Sequence, residues 1–112
     1  MSRLLDFVTP QTASVVRRHA ARLGATVRPR EGHIELVDAD GLILTELHPD
    51  TDGHWVLASW NGKAYVAQDP PGAIEPGVVY RYTYARSLRA LRRRGSPAFT
   101  SAAQALATVG AS

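Results

Sequence analysis

The 112-residue sequence has no cysteine, a single methionine and a single lysine, and aromatic side chains make up only 7% of it. Without cysteine there is no disulfide scaffold, thiolate-ligated zinc, iron–sulfur cluster or thiol nucleophile. No apolar run approaches the roughly 18 residues that a membrane-spanning helix needs, so no membrane partner is expected. The opening residues, Met1-Ser2-Arg3-Leu4-Leu5-Asp6, lack the apolar core of a signal peptide, and a cytoplasmic location is expected. A nucleophile elbow, a P-loop, a dinucleotide fingerprint and a metalloprotease helix are all missing. So short a chain also has little surface for a deep substrate pocket. A non-enzymatic protein without a cofactor is the expectation, and catalysis would call for an oligomeric site.

What remains is ordinary for a globular chain: 45% hydrophobic and 21% charged residues. The length suits one domain spanning 1–112. The net charge of +3 conceals three blocks. Residues 1–30 hold six arginines (Arg3, Arg17, Arg18, Arg22, Arg28, Arg30) against Asp6, for +5. Residues 31–53 hold Glu31, Glu35, Asp38, Asp40, Glu46, Asp50 and Asp52 and no Lys or Arg, for −7. Residues 54–112 hold seven cations against Asp69 and Glu75, for +5. Such a chain either uses its acidic block to hold its own basic ones or offers each to a partner.

Periodicity predicts a helix over 10–23. Thr9 suits the N-cap, Pro10 the first helical position and Gly24 the stop. Ala13, Val16, Ala20 and Leu23 form its apolar stripe. Leu4, Leu5, Phe7 and Val8 extend the helix or pack beneath it. A β meander follows, with strands at 33–38, 42–48, 54–60 and 63–68, and Arg28-Pro29 begins a short edge strand. Asn61-Gly62 is a type I′ hairpin signal. It sets Ala58 opposite Tyr65, Leu57 opposite Val66 and Trp60 opposite Lys63. A stiff loop rich in proline and glycine covers 69–77. Residues 78–84 read either as a strand with Tyr80, Tyr82 and Tyr84 on one face, or as a helix opening with Tyr80, Tyr84, Leu88 and Leu91 in line. The preferred division is strand to about 82 and helix from about 84 to 94, ended by Gly95. Ser96 and Pro97 then start a last helix with Phe99, Ala102, Ala103, Leu106 and Val109 on its buried side. The fold class expected is α+β: an antiparallel β meander of four to five strands, an N-terminal helix and two C-terminal helices.

The densest feature is six arginines within fourteen residues: Arg81, Arg86, Arg89, Arg92, Arg93 and Arg94. On the expected helix, Arg86, Arg89 and Arg93 face away from the core, with Arg92 and Arg94 beside them. Guanidinium groups match phosphate oxygens, and Tyr80, Tyr82 and Tyr84 just upstream offer rings for bases to stack on. The plain alternative is a solvated helix face whose last arginines favour the negative end of the helix dipole. A salt bridge to the 31–53 block would take a guanidinium away from any partner.

The acidic block has its own candidates. Asp38-Ala39-Asp40-Gly41 and Asp50-Thr51-Asp52-Gly53 look like short calcium loops but lack the third oxygen ligand and distal glutamate, so they read as turns. If Asp40-Gly41 is a two-residue hairpin loop, His33 faces His48 and Glu35 faces Glu46. The four then lie close enough for a divalent ion, with Ile34, Leu36, Ile43 and Leu47 on the other face. If instead Asp38 starts a type I turn with Gly41 left-handed, the pairing slips by one, His33 faces Leu47 and the constellation dissolves. Histidines exposed on strands are ordinarily polar surface, and no metal ligand is assigned.

The first functional reading is a binding domain that contacts a nucleic-acid backbone through the arginine helix, Tyr80 and Tyr82. Four arginines engaged on a duplex would give a log–log salt slope of about −3.6. The alternative is an interaction protein, adaptor or small inhibitor, docking the basic helix on an acidic protein or the 31–53 hairpin on a basic one. The alanine-rich last helix also offers a surface for a homodimer.

Overall fold

The computed structural model describes residues 9–110, so the expectations for Leu4, Leu5, Phe7 and Val8 lie outside the described residues. The fold is α+β, as the pattern of elements implied. Helix α1 (Pro10–Arg22) leads to strands β1 (Thr26–Arg30), β2 (His33–Val37), β3 (Ile43–Pro49) and β4 (Trp55–Leu57). Strands β5 (Ser59–Trp60), β6 (Tyr65–Asp69) and β7 (Arg81–Ala85) follow, then helices α2 (Leu88–Arg93) and α3 (Ala102–Ala107). The strands form two antiparallel sheets rather than one meander: a four-stranded sheet in the order β1-β2-β3-β4 and a three-stranded sheet in the order β5-β6-β7.

Local chemistry accounts for α1. The Thr9 side chain accepts a hydrogen bond from the Thr12 backbone N–H, Pro10 occupies the first turn, and Gly24 takes the left-handed conformation beyond the C-cap. Its stripe of Ala13, Val16, Ala20 and Leu23 packs with Ile34, Leu36, Leu47 and Leu57 of the larger sheet and with Ala102, Ala105 and Leu106 of α3. The opposite face of that sheet contributes Val56 to a second cluster with Ala58, Ala67, Ala85 and Leu91. The larger sheet is thus covered by α1 and α3 on one side and by the smaller sheet with α2 on the other.

The β2–β3 connection combines both expected alternatives. The turn is the one that starts at Asp38: the Gly41 N–H reaches the Asp38 carbonyl (3.1 Å), the Asp38 carboxylate accepts from the Asp40 and Leu42 N–H groups, and Gly41 has φ 84°. Left alone, that turn would set the slipped register, and Val37 does pair with Ile43 accordingly. A bulge follows at once. Leu36 pairs with Thr45, Glu35 with Glu46 and Ile34 with Leu47, so Leu44 is the extra residue that shifts the ladder back. Ile43 consequently stays exposed, and Leu44 rather than Ile43 packs against the core.

Two other strand expectations need correction. Asn61-Gly62 does not form a two-residue loop. The Asn61 carboxamide oxygen accepts from the Lys63 and Ala64 N–H groups, which spreads the turn over 61–64 and sets Trp60 opposite Tyr65 and Ser59 opposite Val66. The shift is by two positions, so the side chains keep their faces. The strand expected over 54–60 divides at Ala58, whose N–H donates to the Glu46 carbonyl (3.1 Å) while the chain on either side joins a different sheet.

The C-terminal helices begin later than expected because serines cap them. Ser87 accepts from the Ala90 N–H and Ser101 from the Gln104 N–H. Tyr84 and Arg86 therefore precede α2, and Tyr84 is an exposed strand residue, not a core-facing helical one. Phe99 likewise sits before α3, bridging Trp55 through paired backbone bonds of 2.8 Å. Ala105, not Ala103, joins Ala102 and Leu106 on the buried side of α3. That side is occupied by α1, which removes it as a surface for a second copy. No helix among the described residues is long and apolar enough to cross a membrane.

Leu106 is fully buried between α1 and α3, whereas Val79 is 85% exposed. Leu106→Ala is expected to lower the unfolding free energy by about 2–5 kcal/mol. Val79→Ala should change it by no more than about 0.5 kcal/mol. Urea denaturation of the two variants beside the parent checks the assignment of the core.

Candidate functional site

The six clustered arginines do not share one helix. Arg81 is on β7, Arg86 precedes the N-cap of α2, Arg89, Arg92 and Arg93 lie on α2, and Arg94 is its C-cap. Their surroundings divide them further. One Arg92 terminal nitrogen lies 2.8 Å from Asp50 Oδ2 and 2.6 Å from Asp52 Oδ2. Arg94 donates to the Tyr84 carbonyl at 2.6 Å, tying the end of α2 to β7. Arg81 stands opposite Asp69 in the β6–β7 ladder, and with Arg94 it lines a cleft of about 350 Å³ beside Leu57, Ala67 and Phe99. Arg86, Arg89 and Arg93 are exposed and make no ion pair among the described residues.

The tyrosines divide as well. Tyr80 comes before β7; its hydroxyl accepts from the Glu75 N–H (2.9 Å) and donates to the Ala73 carbonyl (3.2 Å), so it fastens the 73–80 loop. Tyr82 and Tyr84 alternate with the inward Thr83 and Ala85 on the edge strand β7, and remain 47% and 53% exposed. The expected pair of Tyr80 and Tyr82 gives way to Tyr82 and Tyr84, with Arg86 two residues further along.

The aspartates around Arg92 come from the second acidic turn. Asp50 and Gly53 close it, Gly53 with φ 86°, and the Asp50 carboxylate accepts from the Thr51 N–H at 2.7 Å. This is turn chemistry, as is the Asp38–Gly41 segment. The hydrogen bond from Arg92 and the His54 N–H hold the Asp52 carboxyl well below the usual carboxylate range. For Asp50, burial pushes upward, but Arg92 and the Thr51 N–H outweigh it and the net shift is down. The two carboxylates raise Arg92 in turn. Charge segregation is therefore used internally at this one guanidinium.

A second group of polar side chains is buried between the sheets. Glu35 and Glu46 pair directly across β2 and β3. Like charges so placed repel, and each has its own compensation. Glu35 Oε1 meets Arg28 Nε at 3.1 Å and Arg30 Nε at 3.2 Å, both from β1. Glu46 Oε1 meets His48 Nε2 at 2.9 Å and His33 Nε2 at 3.6 Å, and accepts from the Trp60 backbone N–H at 3.1 Å. Burial pushes the Glu46 carboxyl up, but the His48 hydrogen bond, the Trp60 N–H and the two nearby imidazoles bring it below its ordinary value. The His33 and His48 rings stack with centroids 4.6 Å apart, and the Tyr65 ring lies edge-on to His48 at 5.2 Å. His48 and Glu46 are only 5% and 4% exposed, so these are not surface histidines of the expected kind.

No protein-family model matches the chain, and no curated protein or solved structure is detectably similar to it. Function must therefore be argued from these two constellations: an outward set of Arg86, Arg89, Arg93, Tyr82 and Tyr84, and the inward set of His33, Glu35, Glu46 and His48. The sequence exposed the first through residue counts. It missed Trp60 and Tyr65 as supports of the second, because neither is near it in the chain.

The Arg92 clamp has a pH signature. Asp50 and Asp52 ionise more readily in the folded protein, so their contribution is complete above the ordinary aspartate value near 3.8 and is lost as pH falls through the folded values. Arg92→Gln should lower stability at pH 7 and make the loss between about pH 4 and pH 2 shallower than in the parent. Urea midpoints across that range measure it; parallel curves would mean the clamp contributes nothing.

Proposed function

We propose that this protein is a non-enzymatic binding domain that contacts a single-stranded nucleic-acid backbone through Arg86, Arg89 and Arg93, with Tyr82 and Tyr84 as stacking rings. The observation that carries the reading is the division within the arginine cluster. Arg92 is committed to Asp50 and Asp52 and Arg94 to a backbone carbonyl, while the guanidinium groups of Arg86, Arg89 and Arg93 remain exposed. Arg89 and Arg93 are four residues apart on α2 and so share a face, and Arg86 enters just before its N-cap. Two exposed tyrosines lie on the strand that leads there. Cations that neutralise phosphates beside rings that accept bases are the two ingredients of sequence-tolerant single-strand binding. Direct readout of duplex bases has no support, since α2 spans only six residues.

An acidic protein is the second reading, favoured by a different observation. Ile74, Val78 and Val79 are exposed in the loop leading to β7, and β7 is the open edge of its sheet. Apolar side chains beside an unpaired strand edge suit a protein partner better than a nucleic acid.

Binding of a fluorescent oligonucleotide, followed by anisotropy at increasing salt, tests the first reading. Three phosphate contacts on a single strand predict a log–log slope of about −2. Changing Arg86, Arg89 and Arg93 together to glutamine should abolish binding with the thermal melt unchanged, whereas Arg92→Gln should alter the melt and not the binding. Tyr82→Ala and Tyr84→Ala should each cost about 1–3 kcal/mol of affinity. No binding at low salt to any DNA or RNA strand rejects this function.

A further inference from the structure

We propose that His33, Glu46 and His48 form a binding site for one divalent transition-metal ion of the zinc class, a feature independent of the arginine surface. The three donor atoms lie within 4.8 Å of one another. Two of the separations are measured on a single oxygen: Glu46 Oε1 is 2.9 Å from His48 Nε2 and 3.6 Å from His33 Nε2. A tetrahedral ion with ligand bonds of about 2.0 Å holds its donors about 3.3 Å apart, and the two observed values bracket that figure. The remaining separation, between the imidazoles, closes by at most about 1.5 Å. His33 is the side chain able to close it, because it is 20% exposed where His48 and Glu46 are buried.

The surroundings are those of a ligand set. Glu46 Oε1 receives the Trp60 N–H at 3.1 Å, which fixes the carboxylate, and the Tyr65 ring edge restrains the His48 imidazole. Glu35, the fourth polar group on this face, has Oε1 engaged by Arg28 and Arg30 and Oε2 3.9 Å from His33 Nε2. That carboxylate stands behind the site and offsets the charge of an incoming cation. Two histidines and a carboxylate leave a fourth coordination position for water, on the side where His33 meets solvent. Neutral imidazole nitrogens select zinc, copper, cobalt or nickel over magnesium and calcium, which prefer all-oxygen ligands. A burial argument points the same way. Hydrogen bonding explains why Glu46 is tolerated between the sheets, but two stacked imidazoles aimed at one carboxylate oxygen are an expensive way to satisfy a single acceptor. A cation between them would use all three groups at once.

The test uses the full chain without an affinity tag, treated with chelator and titrated with zinc chloride by calorimetry, with the thermal melt followed in parallel. One ion per chain and a rise in the melting temperature are expected, while calcium and magnesium leave both unchanged. His33→Gln removes a partly exposed ligand without opening the core and should weaken zinc binding at least about 100-fold, more than is typical of losing a group behind a ligand. His48→Gln and Glu46→Gln should do the same where circular dichroism shows them folded. His19→Gln and His54→Gln should bind as the parent does. Failure of the parent to bind zinc at micromolar concentration overturns the proposal. So does a His33→Gln variant that binds as tightly as the parent, because the ion is then held elsewhere.

Discussion

Two carboxylates placed directly opposite each other in the middle of a covered sheet are the constraint on which the rest of the structure turns. Glu35 and Glu46 pair across β2 and β3 with almost no exposure. Left uncompensated, that pair would cost more than a sheet of this size could offset. β1 answers half of it by bringing Arg28 and Arg30 onto Glu35. His33, His48 and the Trp60 N–H answer the other half at Glu46, which in turn anchors the start of the smaller sheet. The edge strand, the central pair and the second sheet are thus joined through one polar layer, with the apolar clusters on either side of the larger sheet supplying the bulk of the burial.

The bulge at Leu44 is what permits this layer. An Asp38 turn closed by Gly41 would by itself set His33 against Leu47 and carry Glu46 and His48 to the helix-covered face. Inserting one residue in β3 restores the alternation that sends Ile34, Leu36 and Leu47 to α1 and α3 and turns Glu35, Glu46 and His48 the other way. The cost of the extra residue is small beside that of burying the Glu46 carboxylate among the leucines. Side-chain chemistry, rather than turn geometry, therefore decides the register.

The arginine cluster illustrates a different division. A guanidinium group is exposed or committed depending on what lies within a few ångströms, and those neighbours come from distant parts of the chain. Asp50 and Asp52 are about forty residues from Arg92, yet they pair with it and with no other of the six. The same cluster thereby fastens the fold at Arg92 and Arg94 and leaves Arg86, Arg89 and Arg93 exposed. Pairing every arginine internally would have removed the exposed cationic surface, and pairing none would have left α2 fastened only by Leu91, Leu88 and Ala90.

Much of the fold was legible because local signals are physically self-contained. The cap at Thr9, the Pro10 start and the apolar stripe of α1 act within a few residues of one another, and β1 is an edge strand because Pro29 cannot serve a central one. The same locality explains the errors. Asn61-Gly62 read as a tight hairpin until the Asn61 side chain is seen to stretch the turn, and helices placed at Tyr84 and Pro97 wait instead for Ser87 and Ser101. By itself the sequence determined the α+β class, most of the strands and the concentration of cations near α2, since these follow from composition and short-range periodicity. Only the tertiary structure decided which register β2 and β3 adopt, which arginines are committed and whether two histidines meet one glutamate. Those outcomes depend on competing long-range contacts of similar energy, and such competition is resolved only when every partner is in place.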